Sequence, residues 1–469
     1  MVPVSRGFYL KVLTGMLLLS LILYWQVIGL PFFSDDYPVM LRLSKGNFDT
    51  GIFLRPLGDF TLYLQYQLSG FNPLGYHLVN LLLHGCCGFL VVLLSLELSE
   101  YPGLKENRLV TAVLAGLLFT CYPMHAETVI WVIGRGILLS TACFLCSLIF
   151  FMKSRRLQVK RFRIWSLLFF VIALSGYETA LVLPLVIFIL CYYPDRRAAG
   201  ALHIVLPYLV ITLGYFILRY MVLPEGNGGD YFRTGNGIGF YLYNYAALVS
   251  RSFIPPSGTA VYFVGAMLSG VVIMMVLLWR LMKKNAGQFR QACLYLVLLL
   301  VLLLPVVTVG ISTVDHEGGR FLYQPAVFTC LLVVILFTGN FFRTRLFLPL
   351  AAVLFSLSIL LLVNVTGQWK IAGTAVEKAM SSLPVFSQPV LLTGAPDKIG
   401  SAYFFRNGLR EACIIYGKGD WSGNVAGQTS PEGRDKGVIQ DPAGAAAVLQ
   451  PVLRYSYLNG VFVPGNQDK

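Results

Sequence analysis

The sequence has few charged residues for its length. Asp, Glu, Lys and Arg make up 12% of the 469 residues, whereas soluble domains usually carry about 25%. Hydrophobic residues make up 57%, and the mean hydropathy is +0.71. This balance excludes a soluble chain and predicts a polytopic α-helical membrane protein. The 36 basic residues exceed the 22 acidic ones, but they lie in short runs between apolar segments. Orientation in a membrane explains such runs, and no nucleic-acid partner is predicted.

The chain also lacks the paired cysteine motifs of a structural metal site. Its nine cysteines are scattered, and Cys143 and Cys146 form a single CxxC inside an apolar run, without a second pair. We interpret them as core residues. No small-residue cleavage site ends the first apolar run, so residues 10–33 are predicted to be a retained first span.

Apolar runs of spanning length recur along the chain and predict about eleven transmembrane helices. The predicted spans are residues 10–33, 74–98, 108–122, 127–152, 164–176, 179–193, 202–223, 259–281, 291–311, 321–340 and 346–364. The amphipathic segment 239–254 is predicted to be an interfacial helix.

The basic connectors between these runs predict the orientation of the chain. They are residues 153–163, 194–200, 279–290 and 341–345. An eleven-span path that begins in the cytoplasm places every one of them in the cytoplasm. We therefore expect a cytoplasmic N-terminus and an exocytoplasmic C-terminal region.

The composition changes after Val365, where apolar runs shorten and glycine, proline and charged residues increase. This change predicts two domains, a transmembrane domain over residues 1–365 and a small soluble α/β domain over residues 366–469, on the exocytoplasmic side. Within the second domain, residues 389–393 are predicted to form a buried strand. Residues 402–416 are predicted to form a helix, or a strand followed by a helix.

The segment 31–84 combines ionisable residues with the ends of two predicted spans. Asp35 and Asp36 end the first apolar run, and Arg55 lies in the following loop. Carboxylates at this position could bind a cation or accept a proton, and ionisable groups at a membrane are usually functional. A polar stripe follows on one face of the next span: His77, Asn80 and His84. The pattern predicts a reaction centre, with a solvated loop as the alternative.

Further polar residues are predicted to reach the same exocytoplasmic surface from separate loops. They are His125, Glu127, Arg135, Glu178, Arg233, Arg251, Asp315, His316, Glu317, Arg320 and Tyr323. Carboxylates beside histidine suit the deprotonation of a hydroxyl or the binding of a cation. Arginines suit a phosphate or pyrophosphate, which they hold with paired hydrogen bonds.

The order of these motifs resembles a known enzyme family. Asp35-Asp36, Arg55-Pro56-Leu57, the stretch NPLGYHLVN at 72–80 and His84 are similar to the amino-terminal membrane region of the tetratricopeptide-repeat-containing transmembrane O-mannosyltransferases and their bacterial relatives. These are C-type (GT-C) glycosyltransferases. The resemblance continues in PMHAE at 123–127, Gly134-Arg135, Glu178, RFLYQP at 320–325 and Trp369. Residues 400–408 are similar to the tail of bacterial members.

The resemblance implies an integral-membrane glycosyltransferase, mannosyltransferase-like, of the bacterial inner membrane. It would transfer a sugar from a polyprenyl-phosphate donor to a hydroxyl of a protein, lipid or glycan acceptor on the exocytoplasmic face, with inversion. In such enzymes an acidic residue of the first external loop is the general base. By position this is Asp35 or Asp36, and the first of the pair is favoured. Two carboxylates this close favour either one of them being held neutral or both of them holding a divalent cation, Mg²⁺ or Mn²⁺, and the sequence leaves both alternatives open. This class does not always require a metal ion.

The resemblance also implies roles for the other polar residues. Those expected to bind the donor phosphate are Arg55, Arg135, Arg320 and Tyr323. Those expected to line the site are His77, Asn80, His84, His125, Glu127, Glu178, Asp315 and His316.

Departures from the family pattern leave two alternatives open. Tyr122, Ile137 and Tyr177 stand where the family usually has a histidine, an acidic residue and a lysine, and no tetratricopeptide repeats follow. An inactive GT-C-like scaffold is compatible with these departures. A transporter or flippase of lipid-linked sugars would also place charges near the membrane, but it predicts polar residues deep in several spans and symmetry between halves.

Overall fold

A computed structural model describes residues 5–49, 53–100, 108–195, 197–223, 236–387, 390–419 and 453–464. Arg233 and the glycine-rich stretch 420–452 lie outside these ranges. The α-helices of the membrane part are α1 (Arg6–Leu23), α2 (Asp36–Ser44), α3 (Pro56–Ser69), α4 (Pro73–Leu98), α5 (Arg108–Thr120), α6 (Ala126–Ile130), α7 (Arg135–Leu157), α8 (Lys160–Leu174), α9 (Leu183–Asp195), α10 (Ala198–Val222), α11 (Ile238–Arg251), α12 (Ala260–Lys284), α13 (Ala286–Leu302), α14 (Ala326–Phe341) and α15 (Phe347–Ser382).

Several helices begin at polar capping residues that the sequence places directly before an apolar run. The side chain of Ser5 accepts from Phe8 N at the start of α1, and Asn72 accepts from Leu74 N at the start of α4. Asn285 accepts from Gln288 N at the start of α13. Each cap satisfies an amide that the first turn of a helix leaves without an intrahelical partner.

Each of the eleven predicted spans overlaps at least one helix, although the bounds differ. Seven helices of the described ranges are long and apolar enough to cross a membrane alone, and α5 forms an eighth span if it is counted with the helical turns 123–130, which bend from it by 45°. Shorter apolar helices cover residues 178–193 and 326–341. The chain is therefore a multi-pass membrane protein, and the count of eleven stays a prediction.

The structure differs from the predicted segmentation in three places. The first loop contains α2 and α3, and α3 begins at Pro56, whose fixed φ suits a first helical position. The helix predicted from residue 127 breaks, because Trp131 is extended (φ −66°, ψ 125°) and α7 begins only at Arg135. Finally, α15 continues without interruption through residue 365, the predicted domain boundary, to Ser382.

Small residues allow α4 to lie at the centre of the amino-terminal bundle, where it packs against α1, α5 and α7. A Cβ atom on Gly85 would lie 2.9 Å from Leu17 Cα of α1. A Cβ on Gly116 of α5 would lie 2.8 Å from Gly88 O of α4. Close backbone approach at glycine is the usual way in which membrane helices pack.

The C-terminal region contains two small sheets and one helix within the described residues. Its strands are β1 (Val390–Thr393), β2 (Lys398–Ile399), β3 (Ala402–Tyr403), β4 (Leu453–Leu458) and β5 (Val461–Pro464), and its helix is α16 (Leu409–Ile415). β1 pairs in parallel with β4, which pairs antiparallel with β5, and β2 pairs antiparallel with β3. The strand predicted at 389–393 is confirmed for residues 390–393, and residue 389 lies outside the described ranges. Of the two alternatives for residues 402–416, the structure shows a strand followed by a helix.

Candidate functional site

A cleft of about 440 Å³ opens beside α2, α3 and the start of α7. Charged side chains from distant parts of the chain line it: Asp35, Arg42, Asp49, Arg55, Asp59 and Arg320. Phe53, Trp131 and Tyr177 add aromatic faces. The cleft therefore offers carboxylates, guanidinium groups and apolar surface in one concave site, which is the usual composition of a ligand site.

The adjacent carboxylates Asp35 and Asp36 have different environments. Asp35 occupies the N-cap position of α2, is half-buried and lines the cleft, where Oδ1 accepts a hydrogen bond from Asn407 Nδ2. Asp36 is fully buried. Its oxygens accept from Phe33 N at 3.0 Å, Ile133 N at 3.0 Å and Val132 N at 3.4 Å. Asp36 thus fastens the first loop to the segment before α7, and Asp35 is the member of the pair that faces the cleft.

Burial raises the pKa of Asp36 to about 7, although the three backbone N–H donors favour its charged form. Ser34, just before the pair, has an unusual backbone conformation, with a left-handed φ of 46°. That conformation is uncommon for a residue other than glycine. It is maintained by a hydrogen bond from Ser34 N to Phe404 O and by one from Asn407 N to Ser34 Oγ.

Arg55 is held at the cleft by an ion pair and two aromatic rings. Its Nε and Nη2 donate to Glu178 Oε2 at 3.0 and 2.9 Å. Its guanidinium lies 4.0 Å from the ring centre of Phe53 and 4.1 Å from that of Tyr177. Glu178 also pairs with Arg219 at 3.6 Å. Arg55 is therefore held in one orientation. Glu178 does not line the cleft itself but positions Arg55, which does.

Arg320 also lines the cleft and is held by Glu127. The two form an ion pair, and Arg320 Nη1 donates to the hydroxyl of Tyr403 at 2.8 Å. That hydroxyl in turn donates to Glu127 Oε1 at 3.0 Å. The Glu127 side chain is only 4% exposed. Its charge is thus balanced by Arg320, as a buried carboxylate requires.

Arg135, predicted to bind phosphate, points away from the cleft. It is almost fully buried, and its Nε donates to Asn80 Oδ1 while Nη2 donates to Tyr76 O, both at 3.0 Å. Asn80 also donates to Trp131 O at 3.2 Å. These two residues hold the chain turn before α7, whereas the flanking Gly134 and Gly136 line the cleft.

The predicted histidines and Tyr323 lie in the interior of the bundle, not in the cleft lining. His77 Nε2 is 3.0 Å from Leu30 O, and His84 Nδ1 is 2.8 Å from the Tyr323 hydroxyl. His125 packs its ring 4.4 Å from the ring of Tyr323. All four side chains are fully buried. His84, His125 and Tyr323 therefore form one interior cluster, and His77 is held separately at Leu30.

Asp315 and His316 belong to a loop that is bound to the C-terminal region. Lys398 pairs with Asp315 and with Glu317, and Glu317 also pairs with Arg406. Burial opposes the charged forms of Asp315 and Glu317, but hydrogen bonds from these cations outweigh it and lower the pKa of both.

His316 lies in this loop, and Arg251, the last residue of α11, donates a hydrogen bond into it. Burial, together with the neighbouring Arg251, lowers the pKa of His316 to about 4. Arg251 is itself buried and donates to Ser312 O and Ile254 O, both at 3.0 Å. Arg251 therefore holds the start of the loop before Arg320 to the end of α11.

The two carboxylates of the predicted cation site, Asp35 and Asp36, face different surroundings and do not both line the cleft. The Asp36 oxygens are directed at backbone amides, while Asp35 faces the cleft. Among the residues that the structure describes, no group of three or more His, Cys, Asp and Glu side chains is arranged to hold a metal ion.

The sequence did not identify Arg42, Asp49 and Asp59 of the cleft lining, nor two residues of the C-terminal region that contact cleft side chains. Asn407 and Tyr403 come from the C-terminal region and contact Asp35 and Arg320, respectively. The only sequence signal for them was the resemblance of residues 400–408 to the tail of bacterial relatives, which gave neither residue a role.

The chain is similar in sequence to several known enzymes. No family model matches the chain. A protein O-mannosyl-transferase of Caenorhabditis elegans is 26% identical over 362 residues, which cover 70% of this chain and 49% of that protein. The human protein O-mannosyl-transferase TMTC4 is 40% identical over 111 residues, 22% of this chain and 15% of that one. The chain thus spans about half the length, or less, of these curated relatives, and its predicted resemblance to them is confirmed.

Solved structures agree on the architecture. ArnT from Cupriavidus metallidurans, in a crystal structure with bound undecaprenyl phosphate, superposes with a TM-score of 0.51 at 13% identity, over 88% of both chains. The apo structure of ArnT superposes with a TM-score of 0.50, over 88% of this chain and 84% of ArnT. The chain therefore has an ArnT-like GT-C fold, which confirms the predicted fold class.

Proposed function

We propose that the chain is a membrane glycosyltransferase that transfers a sugar from a polyprenyl-phosphate donor to an acceptor hydroxyl, with Asp35 as the general base. One observation carries the proposal: a single cleft brings the half-buried Asp35 carboxylate together with Arg55 and Arg320. Deprotonation of a hydroxyl and neutralisation of a leaving phosphate need these two kinds of group in one site.

The donor class rests on the cleft chemistry and on the relatives. Guanidinium groups hold phosphate oxygens through paired hydrogen bonds, and Arg55 and Arg320 are both directed to the cleft by buried or half-buried carboxylates. The ArnT structure contains undecaprenyl phosphate, and the sequence relatives are named O-mannosyl-transferases. A polyprenyl-phosphate hexose, with mannose as the first to test, fits both.

The reaction is a single displacement at the anomeric carbon. The acceptor oxygen bonds to C1 as its proton passes to a free oxygen of Asp35, and the C1–O bond to the phosphate breaks. The electron pair of that bond leaves with polyprenyl phosphate, whose charge Arg55 and Arg320 stabilise. One displacement inverts C1. A general base of this kind contributes roughly 100- to 10,000-fold to the rate.

Asp36 has another role in this proposal. Its oxygens accept hydrogen bonds from the backbone N–H groups of Phe33 and Ile133, so it maintains the position of its neighbour. A proton acceptor must lie within hydrogen-bond reach of the hydroxyl that it deprotonates, and in this pair only Asp35 lines the cleft.

We place the reaction on the exocytoplasmic face of a bacterial inner membrane, with residues 366–469 as a soluble domain on that side. The positions of the basic connectors support this orientation. The acceptor is a protein, lipid or glycan hydroxyl, and the names of the relatives favour a seryl or threonyl side chain.

The function is tested with the full chain in proteoliposomes. Polyprenyl-phosphate mannose is supplied with a panel of acceptors that includes seryl and threonyl peptides and glycolipids, and release of polyprenyl phosphate is measured. We expect acceptor-dependent release. A flippase or an inactive scaffold would release none, and that result would contradict the proposal.

A further inference from the structure

The first loop is bound to a segment more than 300 residues later in the chain, residues 398–409, here called the tail segment. Ser34 N donates to Phe404 O at 3.1 Å, and Asn407 N donates to Ser34 Oγ at 3.3 Å. Gly408 has a φ of +80°, and a Cβ atom there would lie 2.6 Å from Pro38 Cδ and 2.7 Å from Ser34 O. The tail segment therefore lies directly on the residues that flank Asp35, at a distance that only glycine permits.

The tail segment contacts the proposed base through one side chain. Asn407 lines the cleft, and its Nδ2 donates to Asp35 Oδ1 at 2.5 Å. This hydrogen bond engages Oδ1, one of the two carboxylate oxygens of Asp35. A hydrogen bond to an ionised acceptor is stronger than one between neutral groups, so Asn407 sets the rotation of the carboxylate.

The same segment contacts the proposed phosphate ligand. The Tyr403 hydroxyl lies 2.8 Å from Arg320 Nη1 and 3.0 Å from Glu127 Oε1. It can accept from the arginine and donate to the carboxylate at once. The ring is buried between Trp131 at 4.9 Å and Trp369 at 5.9 Å. Tyr403 thus limits the directions that the Arg320 guanidinium can take.

Ion pairs hold the tail segment in this place. Lys398, at its start, pairs with Asp315 and Glu317, and Arg406 pairs with Glu317. These carboxylates precede Arg320 in the loop from α13 to α14. The tail segment is therefore attached at both sides of the cleft, to the loop that carries Arg320 and to the loop that carries Asp35.

We propose that the tail segment completes the catalytic cleft, with Asn407 as the positioning residue for Asp35 and Tyr403 as the positioning residue for Arg320. This inference rests on the proposed function, because it assigns the two residues to the two halves of that reaction. It predicts that the two residues affect different kinetic constants. Asn407 acts on the proton transfer and therefore on kcat. Tyr403 positions an arginine that already binds the phosphate of the bound donor, so it acts mainly on the KM for the donor, with a smaller effect on kcat through the charge of the leaving phosphate.

The test compares Asn407→Leu with Tyr403→Phe in proteoliposomes, with polyprenyl-phosphate mannose as the donor. Asn407→Leu should lower kcat roughly 10- to 100-fold, the scale of loss when a reacting group is misplaced by about 1 Å, with little change in the donor KM. Tyr403→Phe, which removes one oxygen atom, should raise the donor KM with a smaller effect on kcat. Asn407→Gln retains the amide donor and should recover part of the lost kcat.

Lys378→Ala is the matched control. Lys378 is exposed and donates to Asn459 O, so its loss loosens the C-terminal region without touching the cleft. It should leave both kinetic constants unchanged. Thermal unfolding of every variant identifies any that fail to fold. If Asn407→Leu does not fold, Asn407→Gln is compared with the wild type in its place.

The outcomes separate this inference from the proposed function. If the wild type releases no polyprenyl phosphate, the proposed function fails, and this inference fails with it. If the wild type is active and Asp35→Asn is not, but Asn407→Leu matches the wild type, only this inference is overturned. Equal changes in kcat and KM for Asn407→Leu and Tyr403→Phe would also overturn it, because they would indicate a general structural role.

Discussion

At the scale of single residues, neighbouring identical side chains have different roles. Only the family resemblance favoured Asp35 over Asp36, because the physical difference between them depends on where the backbone amides of Val132 and Ile133 lie. Likewise, an arginine at a predicted membrane edge predicts an anionic partner, but the sequence does not say whether that partner is a ligand or the protein. For Arg135 the partners are neutral oxygens of the protein itself, Asn80 Oδ1 and Tyr76 O.

The Asp36 environment predicts a change in stability. Asp36→Asn replaces one acceptor oxygen with an NH₂ group that faces backbone N–H donors. Leaving such a buried donor unsatisfied costs about 1–3 kcal/mol. We expect a lower thermal unfolding midpoint for Asp36→Asn than for Asp35→Asn, measured in the same detergent. A midpoint equal to that of the wild type would show that the backbone contacts of Asp36 do not stabilise the fold.

At the scale of elements, helix contacts depend on small residues that hydropathy does not detect. Apolar length predicted the helices well, since burial in lipid requires each span to satisfy its own backbone. It did not predict α2 and α3 in the first loop, whose short amphipathic sequences resemble a loop by composition. It also did not predict the break at Trp131, which the Asn80 and Asp36 side chains stabilise from other elements.

The crossing of α4 and α5 gives a prediction with a matched control. Gly116 of α5 faces Gly88 O, whereas Gly214 of α10 has no atom within 4 Å of the position that a Cβ would take. Gly116→Leu should force the helices apart and destabilise the fold by about 1–3 kcal/mol or more. Gly214→Leu should leave the thermal midpoint and the monodisperse yield unchanged. Similar losses in both variants would argue against close packing at this crossing.

The ion pairs of the tail segment predict a dependence on pH. Lys398 and Arg406 lower the pKa of Glu317, and Lys398 lowers that of Asp315, against the effect of burial. Their folded pKa values lie below the unfolded ones, so these groups stabilise the fold above the unfolded values of 4.5 and 3.8. This stabilisation is lost as the pH falls through the folded pKa values.

We therefore expect the thermal midpoint of the wild type to fall between about pH 5 and pH 3. Glu317→Gln removes one of the two charges, so the midpoint of this variant should start lower at pH 6 and fall less. Thermal unfolding followed at several pH values measures both. Parallel curves for wild type and variant would mean that Glu317 does not contribute to this dependence.

At the scale of the whole molecule, the sequence predicted the fold class but not the assembled cleft. Hydropathy and motif order act locally, and the Asp35 to Asn407 hydrogen bond joins residues 372 positions apart. The positions of the basic connectors predict an orientation without reference to any such contact. The division at residue 365 stays a prediction, although α15 passes through it.

The predicted orientation is measured by labelling. Ser381 is exposed near the end of α15, beyond the predicted last span. Ser381→Cys should react with a membrane-impermeant maleimide from outside intact cells, whereas Arg197→Cys in a predicted cytoplasmic connector should react only after permeabilisation. The wild type, with its nine native cysteines, gives the background. The reverse pattern would place the C-terminal region in the cytoplasm.

The most direct measurement of the central claim is the turnover of Asp35→Asn. The substitution is nearly isosteric and removes the basic carboxylate from the cleft, and Glu377→Gln neutralises an exposed acidic residue of α15 as a control. At matched amounts of folded protein, release of polyprenyl phosphate should fall roughly 100- to 10,000-fold in Asp35→Asn, with an unchanged thermal midpoint, and should stay at the wild-type level in Glu377→Gln. Near wild-type release by folded Asp35→Asn would contradict the assignment of this cleft as the reaction centre.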